Sequence, residues 1–111
     1  MIKEKSSYKS ISEGETLTIK IIGEIDHHNA VRLRENIDGE IYSMRPKKLI
    51  FDLSDVDFMD SSGLGLMLGR YASVKNVGGE LVIKHPNRNV MKILKLAGAE
   101  RILKIETDKS S

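Results

Sequence analysis

Hydrophobic and polar positions alternate in the first part of the chain. From Thr16 to Gly23, leucine or isoleucine occupies every second position up to residue 21, which predicts a strand with one buried face. Tyr8 to Ser12 predicts another strand, and Glu13-Gly14-Glu15 supplies turn residues between the two. We therefore expect the chain to begin with a β-hairpin.

After Asp26 the spacing of apolar residues changes to three and four positions, which is typical of a helix with one buried face. Asp26 is placed to be its N-cap. Gly39 weakens the helix, whose end could fray or break early, and Arg45-Pro46 stops it. The predicted apolar face contains Ala30, Leu33, Ile37, Ile41 and Met44.

A continuous apolar run, Leu49-Ile50-Phe51, lies within Lys47 to Leu53 and predicts a central strand in a sheet covered on both faces. The residues that follow are expected to form a loop rich in aspartate. The end of the strand and this loop together contain Asp52, Asp55, Asp57 and Asp60, with no lysine or arginine between residues 51 and 60.

The next helix is predicted to run from Ser61 or Ser62 to about Asn76. Its apolar stripe is expected to contain Leu64, Met67, Leu68, Tyr71 and Ala72, and its outer face Arg70, Ser73 and Lys75. Gly65 and Gly69 lie four positions apart on one side, where absent side chains would let the helix approach the sheet or a partner closely.

The rest of the sequence predicts a short strand, Glu80 to Lys84, and a third helix that begins at Pro86-Asn87 and ends at Gly98. Its predicted stripe contains Val90, Ile93, Leu94 and Ala97. Arg101 to Glu106 predicts a last strand. We therefore expect one α/β domain over residues 1–111, with a mixed, mostly parallel sheet of about five strands and helices packed on it. Residues 1–7 and 107–111 are expected to be flexible tails.

Composition narrows the classes of function. The chain has 111 residues, of which 40% are hydrophobic and 31% charged, as in ordinary globular domains. It has no cysteine, which excludes disulfides, thiolate metal sites and cysteine nucleophiles. No signal sequence or long apolar run is present, so we expect a cytoplasmic protein with no membrane partner.

Charge does not indicate nucleic-acid binding. The net charge is +2, and the basic residues between 84 and 104 are interpreted as a solvated helix face, since no aromatic residues that could stack on bases accompany them. We therefore expect no nucleic-acid partner.

The serines at the start of the second predicted helix are the main candidates for chemistry. Ser61 or Ser62 could be a simple N-cap, or a site where another protein attaches phosphate, and the residues alone leave both possibilities open. A serine hydrolase is disfavoured, because the G-x-S-x-G pattern is absent around both serines. A dinucleotide site is also disfavoured, because Gly63, Gly65 and Gly69 have the wrong spacing.

The histidines and aspartates do not form a recognisable metal-binding pattern. His27 and His28 are adjacent, so their side chains are expected to point in different directions and to act as surface or cap residues. The aspartates before Ser61 lack the glycine and distal glutamate of a calcium loop. We expect no metal and no bound cofactor.

Two motifs resemble a known family. Gly-Glu-Ile-Asp-His-His-Asn-Ala (residues 23–30) and Phe-Met-Asp-Ser-Ser-Gly-Leu-Gly (residues 58–65), continued by Leu-Met-Leu-Gly-Arg-Tyr (residues 66–71), are similar to the anti-sigma factor antagonists of the STAS domain class. The histidine pair and the Gly-Arg-Tyr run favour the sporulation branch. The resemblance covers about Leu17 to Ile105.

The resemblance implies a regulatory switch and not an enzyme. In such proteins the unphosphorylated form binds an anti-sigma factor that is also an ATP-dependent serine kinase, and a sporulation sigma factor is released. The kinase then phosphorylates the antagonist, which dissociates, and a PP2C-type phosphatase reverses the modification. The alternative interpretation is a small nucleotide-binding STAS module.

By correspondence of the motifs, Ser61 would be the phosphorylated residue. The residues expected to contact the partner lie on the same motif and on the neighbouring Gly-Glu-Ile-Asp motif: Asp26, His27, Asp60, Ser62, Gly63 and Leu64.

Overall fold

The sheet contains five strands in chain order. The computed structural model describes residues 6–107, so residues 1–5 and 108–111 lie outside it. The first two strands pair antiparallel, and every later pair is parallel. This mixed sheet with an N-terminal hairpin confirms the predicted fold class. The strands are β1 (Ser6–Glu13), β2 (Thr16–Ile25), β3 (Lys48–Met59), β4 (Glu80–Lys84) and β5 (Lys104–Glu106).

Three α-helices connect the parallel strands: α1 (His27–Met44), α2 (Ser61–Asn76) and α3 (Arg88–Leu96). A short 3₁₀ helix, Ala99–Arg101, precedes β5. The predicted stop of α1 at Arg45-Pro46 is confirmed, because the helix continues past Gly39 to Met44 and Arg45 is its C-cap. Ile37 and Ile41 on either side of Gly39 are completely buried, and this packing outweighs the weak helix propensity of one glycine.

The helices cover one face of the sheet. Alternate residues of β3 that point to that face, such as Leu49 and Phe51, are fully buried, and they share one core cluster with residues of all three helices. Ile50 and Asp52, which point the other way, are only partly buried. The expectation of a sheet covered on both faces is therefore wrong. Successive right-handed crossovers in the same direction place every helix on the same side.

The predicted aspartate loop belongs mainly to β3. This strand continues to Met59, because its second half pairs with β2 up to Ile25. Two register shifts occur there, between Lys20 and Ile22 and between Gly23 and Glu24, and at each shift β3 contributes one more residue than β2. These bulges leave Asp55 and Asp57 exposed to solvent, so the acidic residues do not interrupt the strand.

The predicted orientation of α2 is partly wrong. Met67 is buried as expected, but Arg70 and Ser73 are also buried, and Ala72 is exposed. The buried side of α2 is wider than a simple stripe because the helix packs against both the sheet and α1. Arg70 is accommodated by an ion pair with Asp38 of α1.

The bounds of β1 and β5, the first and last strands, differ from the prediction, whereas those of β4 agree with it. Ser6 and Ser7 belong to β1 and not to a flexible tail, and Arg32 of α1 donates a hydrogen bond to the Ser6 carbonyl at 3.0 Å. β4 has the predicted bounds. β5 begins three residues later than predicted, at Lys104. The rest of the predicted tails, residues 1–5 and 108–111, lies outside the described residues.

The third helix follows its prediction closely. Asn87 is its N-cap and accepts a hydrogen bond from the Val90 amide at 2.8 Å, and Gly98 adopts a left-handed conformation just beyond its end. Val90 and Leu94 are buried as expected. Ala97 is exposed and therefore not part of the buried stripe, because it caps the last turn, where the chain leaves the core.

Candidate functional site

Two helices start side by side at the carboxyl edge of the sheet. β2 leads directly into α1, and β3 leads directly into α2. Because β2 and β3 are parallel neighbours, the two helix starts lie at the same edge of the sheet. The Asp60 amide donates a hydrogen bond to the Ile25 carbonyl at 3.1 Å. The N-cap of α2 is therefore fixed against the last residue of β2, directly before Asp26.

Asp26 caps α1 as predicted. Its carboxylate accepts hydrogen bonds from the backbone amides of His28 and Asn29, at 3.0 and 3.2 Å. Asn29 completes a capping box, because its side-chain oxygen accepts a hydrogen bond from the Asp26 amide at 3.0 Å. Asn29 is buried and also donates to the Glu24 carbonyl. This positioning residue was missed in the sequence, because the usual capping box has glutamate or glutamine at that place.

Asp60, and not a serine, caps α2. Its carboxylate accepts a hydrogen bond from the Ser62 amide at 2.7 Å, and Ser61 is the first residue of the helix. The possibility that a serine is the N-cap is therefore wrong. Within residues 6–107 no group forms a hydrogen bond with the Ser61 hydroxyl, and Ser61 is exposed. The hydroxyl is thus available to another protein.

Of the remaining candidate contact residues, Gly63 is buried against the sheet. A Cβ atom at this position would lie 2.8 Å from Cβ of Met59 and 3.2 Å from Cγ2 of Ile25. Glycine at this position therefore allows α2 to start close to the sheet. Leu64 packs partly against the core.

A groove of about 450 Å³ separates the first halves of α1 and α2. Gly65 and Gly69 line it, and a Cβ atom at either position would contact nothing within 4 Å. The possibility that these two glycines bring α2 close to the sheet is therefore wrong, since they face open space. The groove is lined by His27, Ala30, Val31, Arg34, Ser62, Gly65, Leu66, Gly69 and Arg70.

The histidines at the start of α1 are surface residues, as predicted. His27 and His28 are both exposed, and their rings meet edge to face with centroids 6.1 Å apart. His27 lines the groove. Among the described residues, no group of three or more histidine, aspartate or glutamate side chains is arranged to hold a metal ion.

The acidic residues of β3 differ in their surroundings and in the groups that interact with them. Burial alone would raise the pKa of Asp52, but hydrogen bonds from Ser54 and the nearby His85 and Lys20 lower the pKa below its ordinary value. Asp55 forms an exposed ion pair with Lys20 at 3.3 Å. Asp57 is exposed. The site therefore carries a row of carboxylates along the strand that leads to Ser61.

Asn87 supports the site from α3 and was not identified as a site residue in the sequence. Its side-chain amide donates hydrogen bonds to the carbonyls of Val56 and Asp57, at 2.9 and 3.4 Å. These carbonyls belong to the second bulge of β3. Because the partner of a bulge depends on the tertiary fold, no local pattern could have revealed this contact.

None of the helices within residues 6–107 combines the length and the apolar character needed to cross a lipid bilayer. The site and fold together define a small α/β domain that presents an exposed serine at the start of a helix, beside the capped start of a second helix.

Comparison with known proteins defines the class. The family model described as "STAS domain" matches residues 8–111. The chain therefore belongs to the STAS domain family, and the resemblance inferred from its two motifs is confirmed.

Relatives narrow the class further. The chain is 35% identical over 89 residues to the anti-sigma F factor antagonist of Paenibacillus polymyxa, covering 80% of this chain and 76% of that protein. It is 32% identical over 89 residues to the anti-sigma-B factor antagonist of Bacillus subtilis, covering 80% of each.

A solved structure agrees with these relatives. The anti-sigma factor antagonist SpoIIAA in its unphosphorylated form has a TM-score of 0.79 and 28% identity to this chain, over 92% of this chain and 90% of that one. The phosphorylated form of SpoIIAA has a TM-score of 0.70 over 92% of this chain and 93% of that one.

Proposed function

We propose that this protein is an anti-sigma factor antagonist and that Ser61 is its phosphorylated residue. The observation that carries the proposal is the environment of Ser61, which is exposed, free of hydrogen bonds from its hydroxyl within the described residues, and the first residue of α2 after the cap Asp60. Relatives with the same overall fold are anti-sigma factor antagonists, one of which exists in phosphorylated and unphosphorylated forms.

The unphosphorylated protein binds an anti-sigma factor, which is itself a serine kinase and holds the ATP. Formation of this complex frees a sigma factor for sporulation. The contact surface is formed by the starts of α1 and α2, where Asp26, His27, Asp60 and Ser62 are all at least partly exposed. The protein itself performs no catalysis in this cycle. A PP2C-type serine phosphatase restores the active form.

Phosphorylation would act mainly on the complex and little on the fold. A phosphate adds about −1.5 to −2 charges at pH 7, and the exposed start of a helix stabilises negative charge. In the complex the same group would be buried beside the carboxylates of Asp60 and Asp26. Burial of like charges is costly, so the affinity for the kinase falls and the modified protein is released.

Incubation with the anti-sigma factor kinase from the same organism and ATP tests the proposal, with the modified residue mapped by mass spectrometry. We expect phosphate on Ser61, none on the Ser61→Ala variant, and normal labelling of Ser62→Ala as the matched control. Labelling of Ser61→Ala at the wild-type rate would refute the assignment of Ser61. Failure of the wild-type protein to bind the kinase would refute the function.

The groove between α1 and α2 favours a second candidate function, the binding of a nucleotide. Its size lies in the range of small-molecule sites, and the exposed Arg34, which lines the groove together with Ser62, could bind a phosphate group. A thermal-shift assay with millimolar ATP or GTP tests this possibility. A nucleotide at about 100 times its dissociation constant would stabilise the fold by about 2.7 kcal/mol, and the Arg34→Ala variant would lose that gain. No shift with either nucleotide would eliminate this function.

A further inference from the structure

Phe58 is an exposed aromatic residue three positions before Ser61. Its side chain is 49% exposed, although it lies within β3. Val56, two residues before it, and Met59, directly after it, are both buried. An exposed phenylalanine inside a strand costs hydrophobic free energy unless another surface covers it.

The second bulge of β3 determines which way Phe58 points. Phe58 pairs with Glu24, whereas the next pair, Ile25 with Met59, is buried under the helices. Because neighbouring residues of a strand point to opposite faces, Phe58 and Glu24 project from the open face of the sheet. The bulge at Asp57 is held by the side-chain amide of Asn87, so Phe58 is presented by a braced segment of the sheet.

Three acidic residues lie close to Phe58 in the register of the sheet. Glu24 lies opposite on β2, Asp55 is the preceding residue of β3 on the open face, and Asp57 occupies the bulge; all three are exposed. Lys20 pairs with Asp55 at the side away from Phe58. We call Glu24, Asp55, Asp57 and Phe58 the Phe58 surface.

We propose that the Phe58 surface is a second contact region for the anti-sigma factor, which receives the phenyl ring in an apolar pocket edged by arginine or lysine. This inference rests on the function proposed above. It extends the contact area from the helix starts around the sheet edge to the open face, because Phe58 and Ser61 are only three residues apart.

The charge of the Phe58 surface indicates which kind of partner can bind there. Three carboxylates and one lysine lie in this region, so the Phe58 surface has a net negative charge and repels the phosphates of nucleic acids and of anionic lipids. It also repels the same surface of a second copy of this protein, which disfavours a symmetric dimer through this face. A cationic protein surface is complementary, and a buried aromatic anchor surrounded by polar groups is the usual form of an energetically dominant contact.

Titration calorimetry with the purified anti-sigma factor and ADP tests the proposal. We expect the Phe58→Ala variant to bind about 30-fold more weakly, which is the factor typical of a dominant interface residue. The affinity of the wild-type protein should fall with added salt, because the carboxylates face cations.

Ile11→Ala is the matched control. Ile11 is an exposed apolar residue, 58% accessible, on the same open face. It pairs with Thr18, six residues before Glu24 on β2, a separation of roughly 20 Å along the strand. We expect the Ile11→Ala variant to bind with wild-type affinity. Equal unfolding temperatures of wild type and both variants would show that changes in affinity do not reflect loss of folding.

The outcomes separate the two proposals. If the wild-type protein binds the anti-sigma factor and Phe58→Ala binds equally well, the inference about the Phe58 surface is wrong while the proposed function stands. If Ile11→Ala loses as much affinity as Phe58→Ala, the contact is not specific to the Phe58 surface, and the inference is again wrong. If the wild-type protein does not bind, both proposals fall.

Discussion

Nε of Arg70 in α2 lies 2.7 Å from a carboxylate oxygen of Asp38 in α1. Arg70 is only 6% exposed, and burial lowers the pKa of its guanidinium while Asp38 opposes that change. The contact between these two atoms is an ion pair. This ion pair joins the two helices whose starts carry Asp26 and Ser61, and it maintains the alignment of the site.

Replacement of Asp38 by alanine would leave the charge of Arg70 buried without its partner. Loss of one member of a buried pair typically costs 3–5 kcal/mol, and because Asp38 is partly exposed we expect about 2–3 kcal/mol, measured by urea unfolding. Glu35→Ala removes a carboxylate from an exposed position of the same helix and should change stability by less than about 0.5 kcal/mol. Equal effects of the two variants would contradict the role of the ion pair.

Gly63 and Gly65 should respond oppositely to substitution by alanine. At Gly63 the new methyl group would meet Cβ of Met59 at 2.8 Å, so we expect a loss of about 1–3 kcal/mol from overpacking. At Gly65 the methyl group would enter open space, and the better helix propensity of alanine should stabilise the protein by up to about 1 kcal/mol. Thermal or urea unfolding of the two variants measures the difference, and a gain for Gly63→Ala would refute the packing argument.

Substitution of Ser61 by aspartate should separate folding from binding. A negative charge in the first turn of α2 is favourable by about 0.3–1 kcal/mol, so the unfolding free energy should stay the same or rise slightly. Affinity for the anti-sigma factor should fall, because the new carboxylate lies beside Asp60 in the proposed interface. Ser61→Ala is the control and should retain binding. Calorimetry that finds equal affinity for both variants would contradict the electrostatic mechanism.

Tyr8 should make stability depend on pH in the alkaline range. Its hydroxyl donates a hydrogen bond to Glu40 at 2.5 Å, and burial, followed by the effect of Glu40, raises the pKa of Tyr8 to about 12. The unfolded chain loses this proton near pH 10. The contribution is therefore complete below pH 10 and is lost as the pH rises towards 12.

Unfolding free energies measured from pH 9 to 12 for wild type and Tyr8→Phe test this dependence. The difference between the two proteins should shrink or reverse with rising pH, because the phenylalanine variant has no phenol to titrate. Parallel pH profiles would show that the Tyr8–Glu40 contact does not contribute in this way.

The order and type of the elements could be predicted because each has a clear local signal. The alternation in β2 and the three- and four-residue spacing in α1 lie within single segments, and Asp26 and Asn87 mark two of the helix starts. The bounds of β4 were predicted correctly for the same reason. The outcome stayed open where neighbours in space decide it, as at Gly39, which is held in α1 by buried isoleucines on either side.

In the candidate site, too, some features could be predicted from local sequence and others depended on the tertiary structure. Ser61 was predicted from its motif, but the choice between a cap and a free hydroxyl needed the geometry in which Asp60 takes the capping role. Gly63 could not be distinguished from Gly65 in the sequence, since both lie in the same glycine-rich run. Only the contact of Gly63 with Met59 shows which glycine is required for packing.

The sequence by itself determined the α/β class, the family of the chain and the position of the candidate serine, because hydrophobic period and short motifs are local properties. The tertiary structure alone decided that one sheet face is open, that Arg70 is buried, and that Phe58 is exposed beside Ser61. These features depend on which surfaces cover each element and where the register of β3 shifts against β2. Both result from contacts between segments distant in sequence.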